Sequence, residues 1–228
     1  GISGESKLAR RYGDGVAGVL WDMHWRGNDI IHERVEKYGI NCDLKNGYIE
    51  VAIKPRHMDE LQEQYDEYQA HDFPYEYRIL GREETREVVG TDAYIGSMIN
   101  MRNGHLHPLN LCIGEAQAAA GLGVEIFEQS PVTEIQHGDK PRVVTANGQV
   151  EANTVVLAGN AYHALERRHL SGLTFPAGSY IIATEPLSPE VIQSINPLDL
   201  AVCDLNNVVD YFRMSADGRM LFGGRCNY

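Results

Sequence analysis

The sequence predicts a mixed α+β and α/β fold made of two domains that interrupt each other. Three observations predict it. The chain opens on a long helical stripe and passes through mixed helix and strand signals. A nearly all-apolar run, TVVLAG (154–159), then reads as a strand covered on both faces, as in an α/β sheet. From residue 174 onward strand signals dominate.

Val16, Val19, Leu20, Met23, Ile30, Ile31, Val35 and Tyr38 recur in steps of three and four, the face of one long helix. GYIEVAIK (47–54) alternates Ile49, Val51 and Ile53, a half-buried strand that Pro55 ends. MDELQEQYDEYQA sets Met58, Leu61, Tyr65 and Tyr68 on one stripe of a surface helix, with its acids on the solvated side. YRIL (77–80) is a short strand, GREETREVVG a short helix closing on Gly90, and AYIGSMINM (93–101) another strand. Pro108 suits the first turn of an alanine-rich helix. VEIFEQ (124–129) reads as a strand, and Asn147-Gly148 as a hairpin turn. SYIIATEPL, VVDYFRMS and RMLFGG are strands, the last two joined by an Asp217-Gly218 turn.

A chain of 228 residues with net charge −12 can bury a sizeable core, and it repels phosphate backbones and anionic membranes. No nucleic-acid or membrane partner is expected. The cysteines (Cys42, Cys112, Cys203, Cys226) are scattered without a C-x-x-C pair, which fits reduced thiols in a cytoplasm. No P-loop, G-x-S-x-G or H-E-x-x-H pattern occurs.

Gly13-x-Gly15-x-x-Gly18 has the spacing of a dinucleotide-binding turn. Such a turn works only when a buried strand feeds it and a helix N-terminus presents its N–H groups to the pyrophosphate. The preceding GESKLARRY is charged and lacks an apolar β-branched run. The spacing therefore misleads.

GHLHPLNLCIGEAQAAA, VEIFEQSPVTEI, VEANTVVLAGNAY and YFRMSADGRMLFGG follow one another in a telling order. In that order they resemble the FAD-dependent amine and amino-acid oxidases of the D-amino-acid oxidase superfamily. G-H-x-H-P-L-N together with V-x-A-G-N-A-Y is most similar to the gamma-glutamylputrescine oxidases within it. The resemblance implies a substrate-binding domain with an antiparallel mixed sheet, plus part of an FAD/NAD(P)-binding, Rossmann-like domain. Residues 1–39 would be the helix linking to the FAD domain, and 40–102 the first part of the substrate domain. Residues 103–165 would be the centre of the FAD-binding domain, and 166–228 the second part of the substrate domain. The true fingerprint and the last FAD segment would lie outside the chain, which would leave a cofactor-free, non-catalytic fragment as one reading of it.

Carried over by residue, Pro131, Val132 and Thr133 match the segment bordering the adenine, with Val132 touching it through its main chain. Ala158, Gly159 and Asn160 match the strand end that passes the cofactor. Tyr211 matches a tyrosine that reaches the substrate side of the flavin, though a core tyrosine is an equal reading. Gly223 and Gly224 match a strand end beneath the same pocket. Arg225 and Tyr228 follow it and would face substrate. Arg213 or Arg225 would suit a substrate carboxylate. His105 and His107 share a face in a strand, but no third ligand stands at metal-binding spacing. The resemblance sets them at the domain junction, with a structural role or, for His107, substrate contact.

The implied cofactor is FAD, and the implied reaction is hydride transfer from the carbon beside a neutral primary amine to flavin N5. Hydrolysis of the imine then gives aldehyde and ammonia, and oxygen returns as hydrogen peroxide. The partners would be a small amine and oxygen, with open sheet edges inviting self-association. Glycine, sarcosine or another small amine is the alternative substrate.

Overall fold

The computed structural model describes residues 5–160 and 178–227. They fall into two compact units, one of Gly1–Ala119 with Ser179–Cys226, the other of Ala120–Gly178 with Asn227–Tyr228.

The first unit opens on α1 (Glu5–Tyr12) and α2 (Asp14–Tyr38). Gly13 caps α2 at φ 89° directly after a helix, so no strand feeds the glycine triplet. The stripe read from the sequence is only partly the packed one: Val16, Val19 and Met23 stay exposed. The face turned inward instead carries Ala17, Trp21 and Trp25. The two tryptophans are the larger payload, and they meet Tyr68 and Phe73 at ring separations of 4.4–6.2 Å. Aromatic pairs of this kind contribute about 0.5–1.5 kcal/mol each beyond their buried area. Gly39 ends α2 in the left-handed conformation at φ 59°.

β1 (Lys45–Ala52), α3 (Pro55–Ala70), β2 (Tyr77–Gly81), α4 (Arg82–Val88), β3 (Gly96–His105) and α5 (Pro108–Gly121) follow close to their expected positions. Then come β4 (Val132–Gln136), β5 (Arg142–Thr145), β6 (Gln149–Glu151) and β7 (Gly178–Ala183). The last elements are α6 (Pro189–Ile195), β8 (Ala201–Asp204), β9 (Tyr211–Met214) and β10 (Met220–Asn227). A seven-stranded sheet runs β2-β3-β1-β8-β9-β10-β7. β1 is antiparallel to β3 and parallel to β8, so the sheet is mixed. The β9–β10 turn forms where Asp217-Gly218 placed it, with Gly218 at φ 77°.

Alternation divides the sheet into two faces. Ile49, Val51, Ile99, Val202 and Phe212 point to one, where they join Leu80, Val88, Val89 and Leu200 in a core. Tyr48, Glu50, Met98, Cys203, Tyr211 and Arg213 occupy alternate positions and share the other. Over β1–β3 that second face is closed by Leu61, Tyr68 and Phe73 with the α2 tryptophans.

In the second unit, β4-β5-β6 form a three-stranded antiparallel sheet with the Asn147-Gly148 turn between β5 and β6. Two expected strands do not form there. Residues 124–129 and 154–159 join no ladder, and Phe127 and Val156 are 66% and 81% exposed. An apolar run becomes a strand only beside a partner that takes its N–H and C=O groups, and none of the described residues does so.

Candidate functional site

Over β8, β9 and β10 the second face of the seven-stranded sheet is open. A cavity of about 240 Å³ lies there, lined by Tyr48, Ile181, Ala201, Cys203, Tyr211, Arg213 and Leu221, with Val202 and Phe212 at its floor. Register explains the gathering. Tyr48 faces Ala201, Cys203 faces Tyr211, and Tyr211 faces Gly223, so neighbouring strands deliver these side chains to one patch.

Gly223 shapes the patch by what it lacks. A Cβ there would stand 2.3 Å from the Tyr211 ring and 2.5 Å from its hydroxyl, so the phenol lies across β10 only because position 223 is glycine. Gly224 likewise gives way to the Asp210 carboxylate, which a Cβ would meet at 2.2 Å. Arg213 reaches along the face and donates to the carbonyl of Leu106 at 3.0 Å and to that of Met214 at 3.2 Å. No carboxylate among the described residues pairs with it, so its remaining N–H donors stay available.

The wall is weakly acidic chemistry held neutral. Burial pushes the Tyr48 phenol well above its ordinary value, and the neighbouring Glu50 adds to this. Burial also raises the Cys203 thiol, opposed by its hydrogen bond with Tyr48. A thiol so raised is a poor nucleophile. Glu50 stands beside both. Burial raises its carboxyl, opposed by a hydrogen bond from Gln64. Gln64 and Asn100 also donate to the Tyr68 hydroxyl, at 3.1 and 3.0 Å. The glutamate was not singled out in the sequence. The signal was an acid at an alternate position of an apolar strand, between the buried Ile49 and Val51.

The residues expected from the sequence fall in different places. Tyr211 is in the cavity wall. Arg225 belongs to β10 by its backbone, while Tyr228 lies outside the described residues. His107 is exposed at the head of α5, where its Nδ1 accepts the N–H of Asn110 at 3.2 Å. His105 is buried, with Nε2 against the Asp199 carbonyl at 2.8 Å. The two histidines therefore do not share a face. Among the described residues no group of three His, Cys, Asp or Glu side chains is arranged to hold a metal.

Pro131, Val132 and Thr133 lie in the second unit, at the start of β4. β4 is an edge strand, so alternate main-chain groups face away from its sheet. Ala158, Gly159 and Asn160 are exposed in the same unit and join no ladder, and Asn160 rather than Gly159 takes the left-handed conformation, at φ 50°.

The profile of the DAO family, FAD dependent oxidoreductase, matches residues 3–228. The chain belongs to that family. A probable oxidoreductase OrdL of Haemophilus influenzae is 40% identical over 232 residues, covering 96% of this chain and 52% of the relative. The gamma-glutamylputrescine oxidoreductase of Escherichia coli is 37% identical over 222 residues, covering 97% and 52%. The chain thus spans about half the length of the curated relatives it matches. Among solved structures, glycine oxidase from Geobacillus kaustophilus aligns with a TM-score of 0.71 at 21% identity, covering 94% of this chain and 56% of that one. The L-proline dehydrogenase from P. horikoshii aligns with a TM-score of 0.69 at 19% identity, covering 86% and 53%. These two likenesses concern the fold.

The chemistry of the DAO family is FAD-dependent oxidoreduction, with FAD as its cofactor. The residues present fit such a group. An open sheet face bearing apolar side chains, with two phenols and one guanidinium, suits a planar ring system and a substrate held against it. An edge strand with outward main-chain groups suits a heteroaromatic base.

Proposed function

We propose that the protein oxidises a primary amine of the gamma-glutamylputrescine type to aldehyde, ammonia and hydrogen peroxide. The observation that carries this reading is the cavity on the open sheet face, where an arginine without a carboxylate partner among the described residues stands in a wall of phenols and apolar carbons. The 37% identity to a gamma-glutamylputrescine oxidoreductase supports the substrate class.

FAD, when bound, supplies the acceptor for the hydride. The chain's own residues do the rest. Pro131, Val132 and Thr133 hold the adenine through main-chain groups, and Ala158, Gly159 and Asn160 border the cofactor. Arg213 takes the substrate's carboxylate in a charge-assisted hydrogen bond. Tyr211, laid flat by Gly223, and Tyr48 hold the aliphatic stem, so that one C–H bond is presented in a fixed direction. Arg225 and Tyr228, which follow Gly224 in the sequence, are assigned to the substrate side by the family resemblance alone. No strong nucleophile is needed, and the raised Cys203 thiol agrees with that.

Oxygen and the amine are the small-molecule partners. The scattered cysteines, with Cys42, Cys112 and Cys203 free, support a reducing, cytoplasmic setting. The edge strands β2 and β7 support self-association.

The test is anaerobic mixing of the FAD-loaded protein with gamma-glutamylputrescine, glycine and sarcosine in turn, following bleaching of the flavin absorbance. Reduction by the glutamylated amine at far lower concentration than by the others is the expected outcome. Preference for glycine or sarcosine would move the protein to a small-amine oxidase. An Arg213→Ala variant should raise KM for the glutamylated amine about tenfold or more, the usual loss of a charge-assisted hydrogen bond.

A further inference from the structure

Arg213 is the charged side chain in the cavity wall, and the carbonyl of Leu106 accepts from it at 3.0 Å. That carbonyl lies in the short link between β3 and α5. It shares a peptide group with the His107 N–H, which donates to the Cys42 carbonyl at 2.7 Å. A trans peptide is planar, with its C=O and N–H pointing opposite ways. Fixing the N–H on Cys42 therefore aims the C=O at the guanidinium.

The other flank of the link is anchored by His105. Its imidazole is buried, and Nε2 donates to the Asp199 carbonyl at 2.8 Å. This is the imidazole's one hydrogen bond among the described residues. Asp199 is held at two further points. Its N–H donates to the Asn196 carbonyl at 3.0 Å, and its Oδ2 accepts from Lys45 Nζ at 2.6 Å. These bonds keep Asp199 in the left-handed conformation, at φ 50°. In the sheet order β3-β1-β8-β9, the imidazole thus reaches past β1 to the approach to β8. Leu106, the next residue, meets Arg213 from β9, one strand further.

We propose that His105 is a positioning residue for the substrate's carboxylate, acting on Arg213 through the Leu106–His107 peptide group. The imidazole fixes where the link leaves β3, and the Cys42 carbonyl fixes its tilt. The free donors of Arg213 are thereby directed before any substrate arrives. The proposal rests on the reading of Arg213 as the carboxylate's partner, while the anchor rests on the geometry of β3, β8 and β9. A guanidinium already held loses less side-chain freedom on binding, so the anchor acts on affinity for the carboxylate.

The test is calorimetric titration of the FAD-loaded protein with pentanoate, a carboxylate with no amine to oxidise, and with neutral pentanamide as control. His105→Asn is too short to reach the Asp199 carbonyl as Nε2 does, and His105→Gln restores the reach. Pentanoate should bind about threefold or more weaker in His105→Asn and recover in His105→Gln, with pentanamide indifferent to both changes. In an Arg213→Ala background the change at position 105 should weaken pentanoate no further, because the two residues act on one contact. Equal pentanoate affinity in His105→Asn and the unaltered protein, or a loss that persists without Arg213, would overturn the proposal. A second measurement needs no change at His105. In NMR of the unaltered protein the Arg213 guanidinium should rotate slowly and show separate Nη signals, assigned by their loss in Arg213→Lys. Freely averaged signals would overturn the anchor. If pentanoate binding depends on both residues but no amine is oxidised, the amine-oxidase reading fails and the positioning stands. If pentanoate binding ignores Arg213, the carboxylate role and its positioning fail together. If KM for the amine depends on Arg213 while pentanoate ignores position 105, the positioning alone fails.

Discussion

Tyr211 and Gly223 face each other across β9 and β10, and the phenol occupies the space that any side chain at 223 would need. Gly223→Ala should therefore lift the ring off the sheet face. Overpacking of this kind costs about 1–3 kcal/mol, to be read from urea unfolding, and the substrate KM should rise with it. An unchanged unfolding midpoint would mean that the ring moves aside freely. Glu50 gives a prediction with a definite sign. Its carboxyl is raised in the folded chain, so the native state holds the proton more tightly than the unfolded state does. Stability should then fall as pH rises from the ordinary carboxyl range through the raised value, and below that range the difference vanishes. Glu50→Gln removes the titration and still offers an acceptor to Gln64. The variant should be the more stable protein at pH 8, with the gap closing by pH 4. Parallel midpoint curves for the two proteins across that range would refute the assignment.

At the scale of elements, the join between α6 and β8 is held by one side chain. Asn196 is 1% exposed, donates to the Leu200 carbonyl at 2.7 Å and accepts the Leu200 N–H at 3.0 Å. Asn196→Ala would orphan both main-chain groups of a buried residue. Each such group costs about 1–3 kcal/mol, so a loss of about 3 kcal/mol in chemical unfolding is expected. Nothing in SINPLDLAV announced that clamp, because it depends on a side chain folding back over four residues. The elements with strong local signals were legible: α2, α3, β1 and the turns at Asn147-Gly148 and Asp217-Gly218 lie where period and turn chemistry place them. TVVLAG and VEIFEQ show the limit. Their composition is that of buried strands, yet a strand needs a partner that composition does not supply. The same holds at the site. Family resemblance pointed to Tyr211, which lines the cavity, whereas Glu50 stands out only once register sets it beside Cys203. Gly90 was read as a helix stop. The helix ends at Val88, and Gly90 is glycine because a Cβ would stand 1.8 Å from the Ser194 carbonyl of α6.

At the scale of the whole chain, the two units differ in how much they bury. The first holds two clusters of buried side chains around its seven-stranded sheet. In the second, no described residue between 120 and 160 is buried, and the sheet has three short strands. A small sheet without a buried face is marginal in water, because its hydrogen bonds exchange with solvent while little apolar area opposes the entropy of the open chain. Amide hydrogen exchange should therefore separate the units. β1 and β3 should protect their amides strongly, and β4–β6 should exchange orders of magnitude faster in the chain alone. FAD binds only folded protein, so it should stabilise the unit whose main chain it touches. If Val132 and Gly159 border the cofactor, FAD should slow exchange in the segments around 131–133 and 158–160 while leaving β1 and β3 nearly unchanged. Protection confined to the first unit would move the cofactor contacts off β4, and the carried-over residues with them.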